Sequence, residues 1–433
     1  MSQKLFALVG LALTLVTAPH AKAAWGEGED PSKFLFQDEK LETNFTRLRM
    51  SANVNENGAH APWSETYWPA NKGGIALRYI DRDDENTDAF TAQHFNLATL
   101  KTMSVDSIRR LSASEKFDIL KQHYDYPLTN RVLTQYKTDD PDWWGICHGW
   151  TPAAANYPEP LPVTVTNADG IVIEFGASDV KALISYYYAW NASQMNDRNE
   201  ANWGYRADAS GVQRYWQRDP NMIYFIYRQL GQRCIHGTGG CKKSNLDPAS
   251  FHLALTNLVG NYQRSFVVNV DPTKQIWNQP VFGYTSEVLD SSKHHDENGA
   301  VKKVRVHTKL IYVDESHPQY KANGAMIEKD SKDLVYFLYL DKNDRIVGGK
   351  WSAGLLRRGD RKTAFIGFAW RASRVPFLGD FAVLNTLYKP SQSKTTSYAM
   401  GRNYTPGLED TIYNAAYFEQ NASMMTNELS SSF

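Results

Sequence analysis

The spacing of apolar residues changes once along this chain, and that change limits the folds open to it. In the first 260 residues the pattern is helical. Ser112-Ala113-Ser114-Glu115 has the form of a capping box, and Phe117, Leu120 and Tyr124 follow at helical spacing as far as Tyr126-Pro127. Residues 179–190 and 222–230 read as helices, the second ending at Gly231. Asp247-Pro248 opens another, with Asp as N-cap and Pro at the first position, and Gly260 closes it. Beyond that point the period is that of strands. Residues 266–270, 301–313 and 334–340 alternate or run apolar and β-branched, and Asp341-Lys342-Asn343-Asp344 turns the chain into 345–351 as a hairpin. Helices first and strands later predict an α+β fold, with a helical N-terminal half and an antiparallel sheet in the C-terminal half.

The first 23 residues stand apart. Lys4 gives a positive start, residues 5–16 are apolar, and Ala21-Lys22-Ala23 has the small residues of a cleavage site. The run is too short to span a bilayer and has the flanks of a signal peptide. No later stretch reaches 18 uninterrupted apolar residues, so the sequence predicts a soluble, secreted or periplasmic protein with no transmembrane segment. Taking Lys4 and Lys22 from the 47 basic residues leaves 45 against 47 acidic ones. With no basic block in that balance, nucleic acid is excluded as a partner. The remaining length, about 410 residues, exceeds one ordinary core. It divides into an N-terminal helical and loop extension over 24–125, a catalytic domain over 126–390 and a C-terminal tail over 391–433.

Three cysteines remain after the leader. Cys234 and Cys241 flank Ile-His-Gly-Thr-Gly-Gly, a segment flexible enough to close as a small disulfide loop. Cys147 is left odd, within Trp143-Trp144-Gly145-Ile146-Cys147-His148-Gly149-Trp150. An odd cysteine in an exported protein is an intermolecular bridge, a buried inert thiol, or a thiol kept reduced for chemistry. A nucleophilic thiol needs a helix N-terminus or an imidazolium to favour its thiolate. Gly145 lets the chain turn ahead of Cys147, and Ala153, Ala154 and Ala155 suit a tightly packed helix after it. Thr151-Pro152 is itself an N-cap pair, so the regular helix is expected to begin four residues past the thiol. Trp143, Trp144, Trp150 and Trp277 are candidate walls of a substrate cleft.

The proton acceptor is sought among the histidines. His148 adjoins the thiol, but neighbouring side chains point in different directions. His252 lies on the edge of the apolar stripe of its helix, and Asp271 follows 19 residues later where a strand ends. That order lets the acid fix the imidazole tautomer. His307 with Asp314 competes, but His307 shares the polar face of its strand with Arg305 and Lys309. No histidine or cysteine spacing fits a zinc ligand set. The acidic run over 81–88 lacks the glycine turn and terminal glutamate of an EF-hand loop and reads as solvated.

Gln275-Ile276-Trp277-Asn278-Gln279-Pro280-Val281-Phe282-Gly283-Tyr284 resembles the defence-eliciting peptide of the oomycete cell-wall transglutaminases, a family with secreted bacterial members. The Cys147 segment, the stretch from Ser250-Phe251-His252 to Val270-Asp271, and Ile346-Val347-Gly348-Gly349-Lys350-Trp351 resemble further blocks of the same family. Together they span about residues 60–380. Two positions depart from the pattern. Phe282 replaces a positive residue of the elicitor peptide, and Trp370-Arg371-Ala372-Ser373 stands where a His-Pro-Asp-Phe-Leu-Trp-like block is expected. The resemblance implies a papain- or transglutaminase-type, cysteine-protease-like core and protein–glutamine γ-glutamyltransferase activity. It implies Cys147 as nucleophile, His252 as proton shuttle and Asp271 as its orienter, with glutamine donors and lysine acceptors on protein substrates. The chemistry requires no cofactor. Calcium dependence is a family-level expectation for which 81–88 is the one cluster to nominate. The sequence alone leaves two alternatives: a secreted cysteine peptidase or glutamine deamidase with water as acceptor, and a non-catalytic cell-surface binding protein.

Overall fold

The computed structural model describes residues 25–391 apart from 27, 37, 57–59, 82–87, 194–226, 231–245, 272–275, 297–298, 325, 353–364, 373, 375–376 and 378. The leader, the middle of the acidic run and the tail beyond 391 lie outside the described residues. So do Cys234 and Cys241, and with them the expected disulfide.

The frame is an eight-stranded antiparallel sheet. Its strands are β1 (Ser51–Asn53), β4 (Tyr227–Leu230), β5 (Val267–Asn269), β6 (Asn278–Lys293), β7 (Lys302–Val313), β8 (Lys329–Leu340), β9 (Ile346–Trp351) and β10 (Ala369–Ala372). They lie in the order β4-β10-β5-β6-β7-β8-β9, with β1 added along β6 at Ala52↔Tyr284. β2 (Val163–Thr166) and β3 (Val172–Phe175) form a separate hairpin. Val304, Val306, Thr308, Leu310 and Tyr312 alternate inward along β7, and Leu334, Tyr336, Leu338 and Leu340 along β8, the period of a sheet with one buried face. The expected 341–344 turn joins β8 to β9, with the Asp341 carboxylate accepting from Asn343 N and Arg345 N. Residues 227–230, expected at the end of a helix, are strand β4 instead. Main-chain pairing with β10 from Ala369↔Leu230 to Ala372↔Tyr227 overrides their local helical spacing.

The helices precede and interrupt this sheet. α1 (Leu97–Leu100), α2 (Val105–Arg109), α3 (Ala113–Leu120) and α4 (Pro127–Gln135) come first; α3 carries the capping box of Ser112 and Glu115 in full. α5 (Cys147–Asn156) and α6 (Ala177–Ser193) pack as a pair, α7 (Pro248–Leu255) lies against β8 and β9, and α8 (Leu384–Leu387) follows β10. Asp247 caps α7 by accepting from Ala249 N and Ser250 N, and Pro248 occupies its first position. α5 begins at Cys147 itself, not after Thr151-Pro152. The Thr151 hydroxyl donates back to the Cys147 carbonyl (2.8 Å), and Pro152 sits inside the helix. Thr151 is thus used within the helix and not as its cap.

Two features hold the elements together. Where α5 crosses α6, a Cβ on Gly149 would stand 2.1 Å from the Ser185 carbonyl oxygen and 2.6 Å from the Ala189 Cβ, so the approach admits only glycine. Buried ion pairs then tie the helices to earlier segments. Lys116 Nζ meets Asp179 at 2.7 Å, and Lys181 Nζ meets Glu159 at 2.8 Å and the Ser64 carbonyl at 2.9 Å. Burial pushes the Asp179 carboxyl upward against the pull of Lys116, so each pair is costly to break. The N-terminal segment is stitched to the sheet in the same way, through Glu39 to Arg371 of β10 and to Arg264.

Gly149→Ala should destabilise the protein by on the order of 3 kcal/mol, because the methyl group meets backbone and not a movable side chain. Urea unfolding of the variant against wild type measures it. A loss under 0.5 kcal/mol, on the order of a neutral surface change, would show that α5 and α6 can separate freely.

Candidate active site

Cys147 is placed by three constraints. The chain ahead of it is pinned to residues 67–70, with Ile146 N donating to the Tyr67 carbonyl (2.7 Å) and Ala70 N to the Trp144 carbonyl (2.8 Å). At Gly145 a Cβ would fall 2.4 Å from the Tyr67 oxygen, so a larger residue would push this strand-like contact apart. Finally, Cys147 is the first residue of a ten-residue helix whose N-cap, Ile146, offers no side-chain acceptor. The half-buried sulfur therefore stands at the positive end of α5.

The start of β6 closes over the sulfur. Asn278 Nδ2 donates to Cys147 Sγ at 3.6 Å, and Sγ approaches the Ile276 carbonyl at 3.9 Å. The other end of the Asn278 amide is also fixed, since Oδ1 accepts from Trp370 Nε1 at 3.0 Å. Indole nitrogen only donates, so the oxygen must face Trp370 and the NH₂ must face sulfur. The preceding loop is held by Asn269, whose Oδ1 accepts from Asp271 N (3.1 Å) and Trp277 N (3.2 Å). Trp277 packs edge-on against Tyr67, ring centroids 5.7 Å apart. Trp143 and Trp144, just ahead of Cys147 in the chain, stack edge-to-face, Trp144 being 46% exposed.

The predicted residues divide between this site and elsewhere. Cys147, Trp143, Trp144, Trp277 and Asp271 lie on the segments that meet here. Trp150 does not line a cleft: it is fully buried and donates to the Trp63 carbonyl, a core tryptophan behind the thiol. His252 is not brought to Cys147 either. It is fully buried under α7, with Nδ1 on the Tyr336 hydroxyl (2.8 Å), which continues to Thr308 (2.7 Å) and Ser286 (2.8 Å). Ser286 stands eight residues along β6 from Asn278, about 25 Å at strand rise. Desolvation pushes the imidazole down to about 3, so it is neutral and a poor acceptor for a thiol proton. Asp271 therefore has no His252 to orient. His307 is paired with Glu287 and Asp333 across neighbouring strands and not with Asp314. Sequence reasoning missed Asn278, Trp370 and Tyr67. Asn278 sits in the Trp-Asn-Gln-Pro block and Trp370 in the divergent block, so both were in view without a role.

Among the described residues no cluster of three or more histidine, cysteine or acidic side chains is arranged to hold a metal, and no helix is long and apolar enough to cross a membrane. A transglutaminase elicitor family model matches residues 33–195 and 239–378, more than two thirds of the chain. The chain belongs to the transglutaminase elicitor family. Among solved structures it is similar in fold to the crystal structure of the GP42 transglutaminase from Phytophthora sojae. The TM-score is 0.52 at 18% identity, over 80% of this chain and 93% of that one. No curated protein sequence matches it. This family member combines helices with an antiparallel sheet and presents its described cysteine at the junction of the two.

The buried imidazole gives a pH test that keeps structure and chemistry apart. An unfolded histidine titrates near 6.5 and His252 near 3, so the unfolded chain binds the extra proton between those values. Its contribution is full above 6.5 and is lost as pH falls from there towards 3. Glu29 and Glu315, each pushed up to about 7 by burial, act with the opposite sign, so the comparison is with His252→Gln. Between pH 7 and pH 5 wild type should lose about 2 kcal/mol relative to the variant in urea unfolding. Parallel pH profiles would mean that His252 is solvated.

Proposed function

We propose that this family member is an exported protein–glutamine γ-glutamyltransferase with Cys147 as nucleophile. The observation that supports it most is the Asn278 amide, held by Trp370 so that its NH₂ faces a sulfur at a helix N-terminus. Cys147 Sγ attacks the carboxamide carbon of a glutamine side chain; the C–N bond breaks and ammonia leaves. The acyl group stays on sulfur as a thioester until a lysine amine attacks, breaking C–S and forming the isopeptide. Negative charge gathers on the carbonyl oxygen in both steps, beside donors already in place: Asn278 Nδ2 and the first turn of α5. The thiol proton goes to the departing ammonia, and the amine proton returns to sulfur as the C–S bond breaks. Trp143, Trp144, Trp277 and Tyr67 lie on the segments that meet at the thiol and would limit water, which would otherwise take the thioester to glutamate. A cysteine at the head of a helix against an antiparallel sheet is also the arrangement expected of a cysteine-protease-like core. The chemistry calls for no cofactor.

Ammonia release and incorporation of a fluorescent amine into a glutamine-rich protein test this together. Cys147→Ala should abolish both with the circular dichroism unchanged, and survival of either would mean another nucleophile. Asn278→Ala should lower turnover about a hundredfold through loss of one charge-stabilising donor. His252→Gln, assayed per folded molecule, should keep most of its turnover; a dead variant there would restore His252 to the mechanism. Ammonia release unaffected by added amine would turn the reading to a deamidase.

A further inference from the structure

Two polar groups from one short segment face the Cys147 sulfur, a donor and an acceptor. Asn278 Nδ2 donates to Sγ at 3.6 Å, and the main-chain carbonyl of Ile276 accepts from the thiol at 3.9 Å. The Ile276 oxygen has no other hydrogen-bond partner among the described residues.

Its direction is set from behind. The Ile276 carbonyl and the Trp277 N–H belong to one planar trans peptide, in which the two groups point opposite ways. Asn269 Oδ1 accepts from that N–H at 3.2 Å, and Val270 N donates to the Trp277 carbonyl at 3.0 Å. The peptide is thus held at its far side, and its oxygen is turned to the sulfur. Asn269 is buried on β5, opposite Asn278 in the sheet.

A carbonyl oxygen carries partial negative charge, so it accepts from S–H and offers nothing to a sulfur anion. It calls for a partner that donates, and a primary carboxamide brings one. The carboxamide oxygen needs a donor as charge gathers on it, and the nitrogen needs an acceptor as it leaves. Asn278 Nδ2 and the Ile276 oxygen, two residues apart and both against one sulfur, are that donor and that acceptor.

We propose that the Ile276 carbonyl is a catalytic acceptor for the nitrogen of the scissile carboxamide, with Asn269 as the residue that positions it. This rests on the transglutaminase reading above. As the S–C bond forms and the C–N bond breaks, the thiol proton passes to nitrogen, which leaves as ammonia with one N–H on the Ile276 oxygen. In the second step the lysine amine meets the same oxygen. It gives one proton to the departing sulfur and keeps one N–H on the carbonyl.

The test uses two peptides that differ only in the leaving group. A glutamine peptide releases ammonia; its γ-(4-nitrophenyl) glutamate ester releases 4-nitrophenolate, which has no N–H. The readout is kcat/KM for the carboxamide over kcat/KM for the ester on one preparation, so a general loss of folded enzyme cancels. Asn269→Ala should lower this ratio about tenfold, the effect of one hydrogen bond to a group gaining charge. Asn269→Asp, which keeps an oxygen for the Asp271 and Trp277 N–H groups, should bring it back towards wild type. A second arm uses wild type alone and stands even if Asn269→Ala does not fold. With the ester as donor, pentan-2-amine should be taken about tenfold better than its isomer N-methylbutylamine, which has no N–H left once its proton is on sulfur. An Asn269→Ala ratio equal to wild type, or equal use of the two amines, overturns the acceptor role and leaves the transglutaminase reading intact. Ester turnover with no ammonia release from any glutamine peptide overturns that reading and the acceptor with it.

Discussion

The absence of a side chain at Gly149 is the constraint on which the site rests. It lets α5 approach α6 to backbone distance, and that approach fixes where the first residue of α5 must stand. The ion pairs of Lys116 and Lys181 lock α6 from its other sides. Gly145 does the same service for the incoming chain, so the thiol is located by two contacts in which backbone replaces a side chain. Precision at Cys147 thus comes from main-chain packing, which has few alternative arrangements, and not from the rotamers of neighbouring residues.

Local signals were legible where local chemistry decides the outcome. The Ser112 capping box, the Asp247-Pro248 helix start and the 341–344 turn all appear as the sequence suggests, because each is set by residues three or four apart. Residues 227–230 misled, since their helical spacing is overruled by a partner strand more than a hundred residues away. β6 was hidden for a different reason. Its first seven residues are buried and most of the rest are exposed, so neither alternation nor a continuous apolar run marks it.

The sequence singled out Cys147, which the fold sets at the start of α5, but did not show where His252 would lie. His252 has the spacing of a catalytic histidine, but sequence cannot say which face of a helix meets which part of a sheet. In the fold its ring is one link of a buried imidazole and hydroxyl chain through Tyr336, Thr308 and Ser286 that joins α7 to three strands. Such a network specifies how layers pack, provided its members stay neutral and bonded. The tryptophans divide by the same logic: Trp150 faces the core behind the helix, and Trp277 faces Tyr67 in front of it.

The Asn278 amide has a consequence for the order in which the protein becomes competent. It lies 131 residues from the cysteine it faces, and the indole that orients it lies 92 residues further on. Contacts of such separation form late, after the helices and the β7–β8 hairpin, because the loop-closure cost must be met first. A chain lacking β10, whether truncated or only partly folded, would have its thiol and helix but no fixed donor opposite. In the proposed transglutaminase, reactivity of this cysteine is therefore a property of the finished fold, and an immature chain carries a comparatively quiet sulfur.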